Sequence, residues 1–220
     1  MSILDSLLHI VAPHACEGCG AEGAVVCLSC IQALPTLPSR CYRCSRSTES
    51  FRTCRNCRSR TSIARLYSAA LYSGVAKSIV QRLKFERAMA AANDMAAALA
   101  YRLPCDEWIV THVPTASRRV RVRGYDQAAL IARTLARQRG LPYFSLLART
   151  TETRQVGQKK TTRQEQMAAA FQAIRPRLFQ NKRVLLVDDV ITTGATLEAA
   201  ARTLRDAGAD EVSAAVFAVA

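Results

Sequence analysis

The chain has 220 residues, 50% of them hydrophobic, with 31 Lys and Arg against 17 Asp and Glu, for a formal net charge of +14. That length suits one ordinary domain plus a small one, and the apolar content is enough to bury a core, so the class is globular. No run of 18 apolar residues occurs, and the N-terminal MSILDSLLHIVAPHA lacks a positively charged leader and carries Asp5 and His9 in its apolar stretch. Neither membrane insertion nor secretion is expected, and the expected location is cytoplasmic.

The first element is a cysteine-rich segment. Eight of the nine cysteines fall between residues 16 and 57 as four Cys-x-x-Cys pairs: Cys16/Cys19, Cys27/Cys30, Cys41/Cys44 and Cys54/Cys57. A two-residue gap lets two thiolates curl around one tetrahedral ion, and two such knuckles complete a four-thiolate zinc site. Four pairs therefore predict two structural Zn2+ sites. A disulfide framework is the alternative, but it belongs to small secreted domains, and beyond this segment only Cys105 remains. Seven residues separate the first two pairs and nine the last two. Two consecutive ribbons are favoured over an interleaved cross-brace, because IQALPTLPSR between them carries two prolines and reads as a linker. Residues 1–60 are thus expected to form a double zinc ribbon whose fold depends on metal, and residues 61–220 a second domain. His14, beside Cys16, is a bystander once eight cysteines fill two sites.

After residue 60 the composition changes. SIARLYSAALYSG predicts a strand or hairpin. SGVAKSIVQRLKFER places Val75, Ile79, Val80 and Leu83 on one helical face, and NDMAAALAYRL predicts a second helix capped by Asn93. WIVTHVP reads as a buried strand ended by Pro114, and DQAALIARTLARQRGL as a helix closed by Gly140. VLLV is then a strand that ends on two carboxylates, TLEAAARTLRDAGA a helix stopped at Gly208, and VSAAVFAV the last strand. Strands alternating with helices predict an α/β fold with a parallel sheet, in which ligands gather at the carboxyl ends of strands.

Two polar constellations lie at such ends. VPTASRRVRVRGYDQ carries Arg118, Arg119, Arg121 and Arg123 to one edge, and DDVITTGAT follows the VLLV strand. Residues 111 to 183 hold sixteen Lys or Arg against Asp126, Glu152 and Glu165, so a basic rim faces the acidic pair Asp188/Asp189. A loop such as TTGAT can surround a phosphate with backbone amides and threonine hydroxyls, its glycine permitting close approach and the next helix adding its positive end. Adjacent carboxylates can accept hydrogen bonds from vicinal hydroxyls or hold Mg2+ through water. A phosphorylated sugar satisfies both halves. A capped structural turn is the competing reading of the loop alone.

VLLVDDVITTGAT resembles the phosphoribosyl pyrophosphate signature of type I phosphoribosyltransferases, and nearly the whole chain is similar to the ComF family, a double zinc ribbon followed by a phosphoribosyltransferase domain. Beyond the signature, the resemblance includes the cysteine pairs, Leu83 to Phe85, Val113 to Gln127, and Gln155, Arg163 and Phe171. It implies that Asp188 and Asp189 hold the ribose hydroxyls as the catalytic pair. Val187, Val190, Ile191, Thr192, Thr193, Gly194, Ala195 and Thr196 would form the sugar-phosphate subsite, and Arg118, Arg119 and Arg123 would meet the pyrophosphate. The stretch from Arg149 to Arg163 is almost wholly polar and reads either as a mobile loop that closes over the site and carries Lys159 and Lys160 to the substrate, or as a solvated loop with no ligand. Three positions depart from the family pattern, all outside the signature: Asp126 and Gln166 where an asparagine is usual, and Gln158 where an apolar residue is preferred.

The implied chemistry is displacement of pyrophosphate from C1 of the ribose, with Mg2+ and basic side chains stabilising the leaving charge. The ligand would be phosphoribosyl pyrophosphate or a nucleotide. The family is associated with natural transformation, so the resemblance also implies handling of single-stranded DNA in the cytoplasm, with a competence helicase as a further partner. Arg40, Arg43, Arg46, Arg52, Arg55 and Arg58 on the ribbons, with Arg121, would track phosphates, and Tyr42 and Phe51 would either fill the ribbon core or meet a base. A salvage-type phosphoribosyltransferase with no DNA role is the alternative. His112, just before Val113 and Pro114, is structural by default.

Overall fold

The computed structural model describes residues 15–85, 90–150 and 170–220. The elements run α1 (Leu28–Gln32), α2 (Arg55–Arg58), β1 (Leu66–Leu71), α3 (Gly74–Phe85), α4 (Ala90–Arg102), β2 (Ile109–His112), α5 (Ser117–Arg123), α6 (Gln127–Arg139), β3 (Leu147–Arg149), β4 (Phe171–Ala173), β5 (Arg183–Ile191), α7 (Ala195–Asp206) and β6 (Glu211–Val219). β1, β6, β5 and β2 form a four-stranded parallel sheet in that order, and β3 pairs antiparallel with β4.

Both faces of the parallel sheet are covered, which is why β5 and β6 read as continuous apolar runs. Leu185 and Val187 join Met95 and Leu99 of α4 and Ile131 and Leu135 of α6 in one core. Val184 and Leu186 point the other way and join Leu197, Ala200, Ala201 and Leu204 of α7. The two-residue alternation of a strand thus supplies two cores from one apolar stretch.

The structure differs from the sequence reading at several points. β5 continues through Asp188 and Asp189 to Ile191, because β6 is equally long and pairs Asp188 with Val216 and Ile191 with Val219. Asn93 lies inside α4 rather than at its cap, and its Oδ1 accepts from Gln138 Nε2 at 3.2 Å. The arginines after Pro114 sit on α5, which Gly124 closes in the left-handed region at φ 86°. Of the strand and the hairpin that SIARLYSAALYSG allows, the strand forms, parallel to β6.

The cysteine-rich segment docks on the sheet domain rather than standing apart. Cys16, Val25, Val26, Ile31 and Leu34 extend the first core, while Tyr42 packs against the second. IQALPTLPSR is therefore more than a linker: α1 takes its first residues, Leu34 is buried, and Leu71 N donates to Pro35 O at 2.7 Å. Among the described residues no helix is long and apolar enough to cross a membrane.

Candidate functional site

The eight paired cysteines form two clusters, Cys16/Cys19/Cys27/Cys30 and Cys41/Cys44/Cys54/Cys57, with the sulfurs of each within 4.8 Å of one another. The consecutive arrangement is the one adopted. Cys19 Sγ lies 3.7 Å from Cys27 Sγ, and Cys44 Sγ 3.6 Å from Cys54 Sγ. Those separations far exceed a disulfide bond of about 2.05 Å. They match the sulfur spacing of about 3.8 Å that a tetrahedron with Zn–S near 2.3 Å requires. Burial opposes ionisation of Cys16 and Cys41, but backbone amides aimed at the sulfurs prevail and bring each to about 6. At Gly18 a Cβ would lie 2.6 Å from Cys30 Sγ, so the first knuckle tolerates no side chain there. Each cluster can hold a zinc ion.

At the carboxyl ends of β2 and β5 lies a cavity of about 340 Å³. Asp188 and Asp189 face it from β5, followed by Val190, Ile191 and the Thr192 to Thr196 loop. Gly194 takes φ 75°, a left-handed conformation that glycine adopts without strain, and α7 begins immediately after it. The first-turn amides of α7 therefore sit beside two exposed threonines, Thr192 and Thr193. Asp188 Oδ1 accepts from Asp189 N at 2.8 Å, and Asp189 Oδ1 from Val190 N at 2.7 Å. Burial, then the neighbouring Asp189 charge, hold the Asp188 carboxyl well above the usual carboxylate range. Lys84 Nζ, from the end of α3, pairs with Asp189 Oδ2 at 2.6 Å.

Across the cavity stand Arg119 and Arg123 of α5, with Arg149 from the end of β3. Arg118 and Arg121 are exposed on α5 outside this lining, and Val187 is buried in the sheet core. Lys159 and Lys160 lie outside the described residues, as do His14, Gln155, Gln158, Arg163 and Gln166. Of the ribbon arginines, Arg43, Arg46, Arg52, Arg55 and Arg58 are exposed and Arg40 is half-buried.

Lys84, Tyr72, Thr115, Gln127 and Arg149 also line the cavity, without having been read as site residues. Gln127 is 2% exposed; its Oε1 accepts from Arg123 Nη1 at 3.0 Å, and among the described residues its Nε2 has no hydrogen-bond partner. The RGYDQ segment contains the signal, since Arg123 and Gln127 are only four apart.

Asp126 caps α6. It accepts from Ala129 N at 3.1 Å and from Thr115 N at 2.8 Å, so the unusual carboxylate holds the turn after β2. His112 is buried, with Nδ1 2.9 Å from Tyr143 Oη, and it does not line the cavity. Burial lowers its pKa against the opposing pull of Asp126. Tyr125 donates its hydroxyl to Leu83 O, tying the α5–α6 turn to α3.

Residues 123–219 match the phosphoribosyl transferase domain family. A parallel sheet bearing a carboxylate pair and a glycine loop at one strand end thus belongs to a protein with a phosphoribosyl transferase domain. The chain is 38% identical over 93 residues to Competence protein F of Haemophilus influenzae, covering 41% of each chain. It is 29% identical over 145 residues to Competence protein ComFC of Bacillus subtilis, covering 64% of this chain and 58% of that one. The chain therefore spans about half the length of the curated relatives it matches. Two four-cysteine clusters ahead of that domain accompany its likeness to these two competence proteins. Among solved structures it is similar to the allosteric regulatory enzyme of purine biosynthesis, at 25% identity and TM-score 0.43 over 58% of this chain and 25% of that one. It is also similar to the glutamine phosphoribosylpyrophosphate amidotransferase of B. subtilis, at 24% identity and TM-score 0.45 over 58% of this chain and 26% of that one.

Proposed function

We propose that this chain acts in natural transformation, handling single-stranded DNA in the cytoplasm, and that its phosphoribosyl transferase domain binds phosphoribosyl pyrophosphate. The observation that carries the ligand reading is one cavity holding an acidic pair, a glycine loop at a helix start and three arginines. The 5-phosphate fits the Thr192 to Thr196 loop, where the α7 amides and threonine hydroxyls donate. Asp188 and Asp189 accept from the ribose hydroxyls, and Arg119, Arg123 and Arg149 face the pyrophosphate. Mg2+ fits the same carboxylates and would neutralise pyrophosphate oxygens when bound. Structural zinc fits both cysteine clusters.

The DNA reading is supported by the formal charge of +14 and by exposed Arg43, Arg52, Arg55 and Arg121. Arg40 is half-buried. Calorimetry with phosphoribosyl pyrophosphate and Mg2+ tests the ligand reading on zinc-loaded protein. Binding by wild type that is lost in Asp188→Asn/Asp189→Asn supports it; no binding by folded wild type removes it. The salvage-enzyme alternative requires Mg2+-dependent pyrophosphate release with a nucleobase and no DNA binding.

A further inference from the structure

The Thr192 to Thr196 loop has two sides. One faces the cavity with Asp188 and Asp189; the other faces the second cysteine cluster across a groove of about 190 Å³ lined by Arg40, Tyr42, Phe51, Ile191, Thr192 and Thr193. Tyr42 spans that gap. It follows Cys41 directly, and a Cβ placed on Gly194 would lie 3.8 Å from its Cε2. Its hydroxyl donates to Glu198 Oε2 at 2.7 Å, while Glu198 Oε1 accepts from Ser62 N at 2.6 Å and Glu198 N donates to Gly194 O at 2.8 Å. A cluster cysteine, the loop glycine and the first turn of α7 are thus joined through one side chain. The first cluster makes no such link among the described residues: its neighbours Glu17 and Val26 bond to Arg82 of α3 and Asp94 of α4.

We infer that Tyr42 is a positioning residue for the loop, so that metal in the second cluster and ligand on the loop stabilise each other, while the first cluster is uncoupled. This rests on the reading that the loop binds a sugar phosphate. Coupling between two binding events is reciprocal, so it has a signature in both directions. Ligand must protect the second ribbon, and loosening the second ribbon must release the loop.

The test is peptide-resolved hydrogen exchange on the zinc-loaded full chain, with and without ribose 5-phosphate. In wild type, the ligand slows exchange in residues 39–58 about tenfold and leaves 15–32 unchanged. Cys44→Ser, which weakens the second cluster, speeds exchange in residues 191–198 about tenfold while residues 127–139 keep their protection. Tyr42→Phe retains the ring and zinc but loses the bond to Glu198. It weakens ribose 5-phosphate binding several-fold and removes most of the ligand's protection of 39–58. Equal protection of both ribbons by ligand, or Tyr42→Phe behaving as wild type, overturns the inference. If wild type binds no ribose 5-phosphate, the sugar-phosphate reading fails by itself. The coupling is then decided by loop exchange in ligand-free Cys44→Ser, and an unchanged rate in residues 191–198 overturns it.

Discussion

Lys84 Nζ lies 2.6 Å from Asp189 Oδ2, joining the end of α3 to β5 at the floor of the cavity. Among the described residues Lys84 is the cation paired with these adjacent carboxylates, and it contacts Asp189. Burial, then the Asp189 charge, raise the Asp188 pKa, and Lys84 opposes the rise only in part.

That imbalance predicts a destabilised site. A carboxyl whose folded pKa is raised adds nothing adverse below the unfolded value of about 3.9, and it destabilises the fold as pH climbs through the folded value. Asp188→Asn keeps an oxygen to accept from Asp189 N and removes the charge. Without ligand it should raise Tm near neutral pH, each kcal/mol gained appearing as about 2–4 °C in a chain of this size. The gain should vanish as pH falls below about 3.9, where Asp188 is protonated in the folded and unfolded chain alike. A thermal-melt series across that range checks it; a gain constant with pH would place the effect elsewhere.

Gln127 predicts the opposite division between stability and binding. Its Nε2 is buried without a partner beside the cavity, a condition that costs about 1–3 kcal/mol unless a ligand oxygen accepts from it. Gln127→Leu should therefore leave unfolding by urea unchanged or slightly more resistant. Affinity for phosphoribosyl pyrophosphate should fall by roughly 10-fold or more, a hydrogen bond to a charged group contributing about 1.5–3 kcal/mol. Parallel losses of stability and binding would assign the residue to packing alone.

The elements that the sequence made legible are those decided locally. VLLV and VSAAVFAV can only be buried strands, and four Cys-x-x-Cys pairs with short gaps can only be sorted in a few ways. What stayed hidden depends on partners distant in sequence. Asp188 and Asp189 lie inside β5 because β6 extends beside them. Lys84 enters the site from a helix whose apolar face is legible, while the reach of its side chain to Asp189 is not. In sequence Tyr42 fits a ribbon core or a base contact, yet its hydroxyl is committed to Glu198, 156 positions away. No local pattern carries that information.

Asp126 departs from the expected asparagine, and its contacts explain what the carboxylate does. It accepts from Ala129 N, Thr115 N and Thr115 Oγ1. Asp126→Asn retains one acceptor oxygen and should cost little, whereas Asp126→Ala should destabilise by about 1–2 kcal/mol, as loss of an N-cap does. Urea unfolding of the two variants separates capping from charge. If both lose the same stability, the charge itself, facing His112 Nε2 at 3.9 Å, is what the site uses.

DNA binding, if the ribbons provide the track, must show itself in the salt dependence. Each phosphate neutralised on a single strand contributes about 0.7 to the slope of log affinity against log salt. Arg43, Arg52 and Arg55 are exposed on the second ribbon. Replacing all three with alanine should reduce the magnitude of the slope by about 2. Arg121→Ala, on α5, should reduce it by about 0.7. Fluorescence anisotropy with a labelled single-stranded oligonucleotide between about 50 and 200 mM salt measures both. An unchanged slope in the triple variant with a reduced one in Arg121→Ala would move the track from the ribbon to the cavity rim. DNA would then run along α5, beside Arg119 and Arg123 that face the cavity.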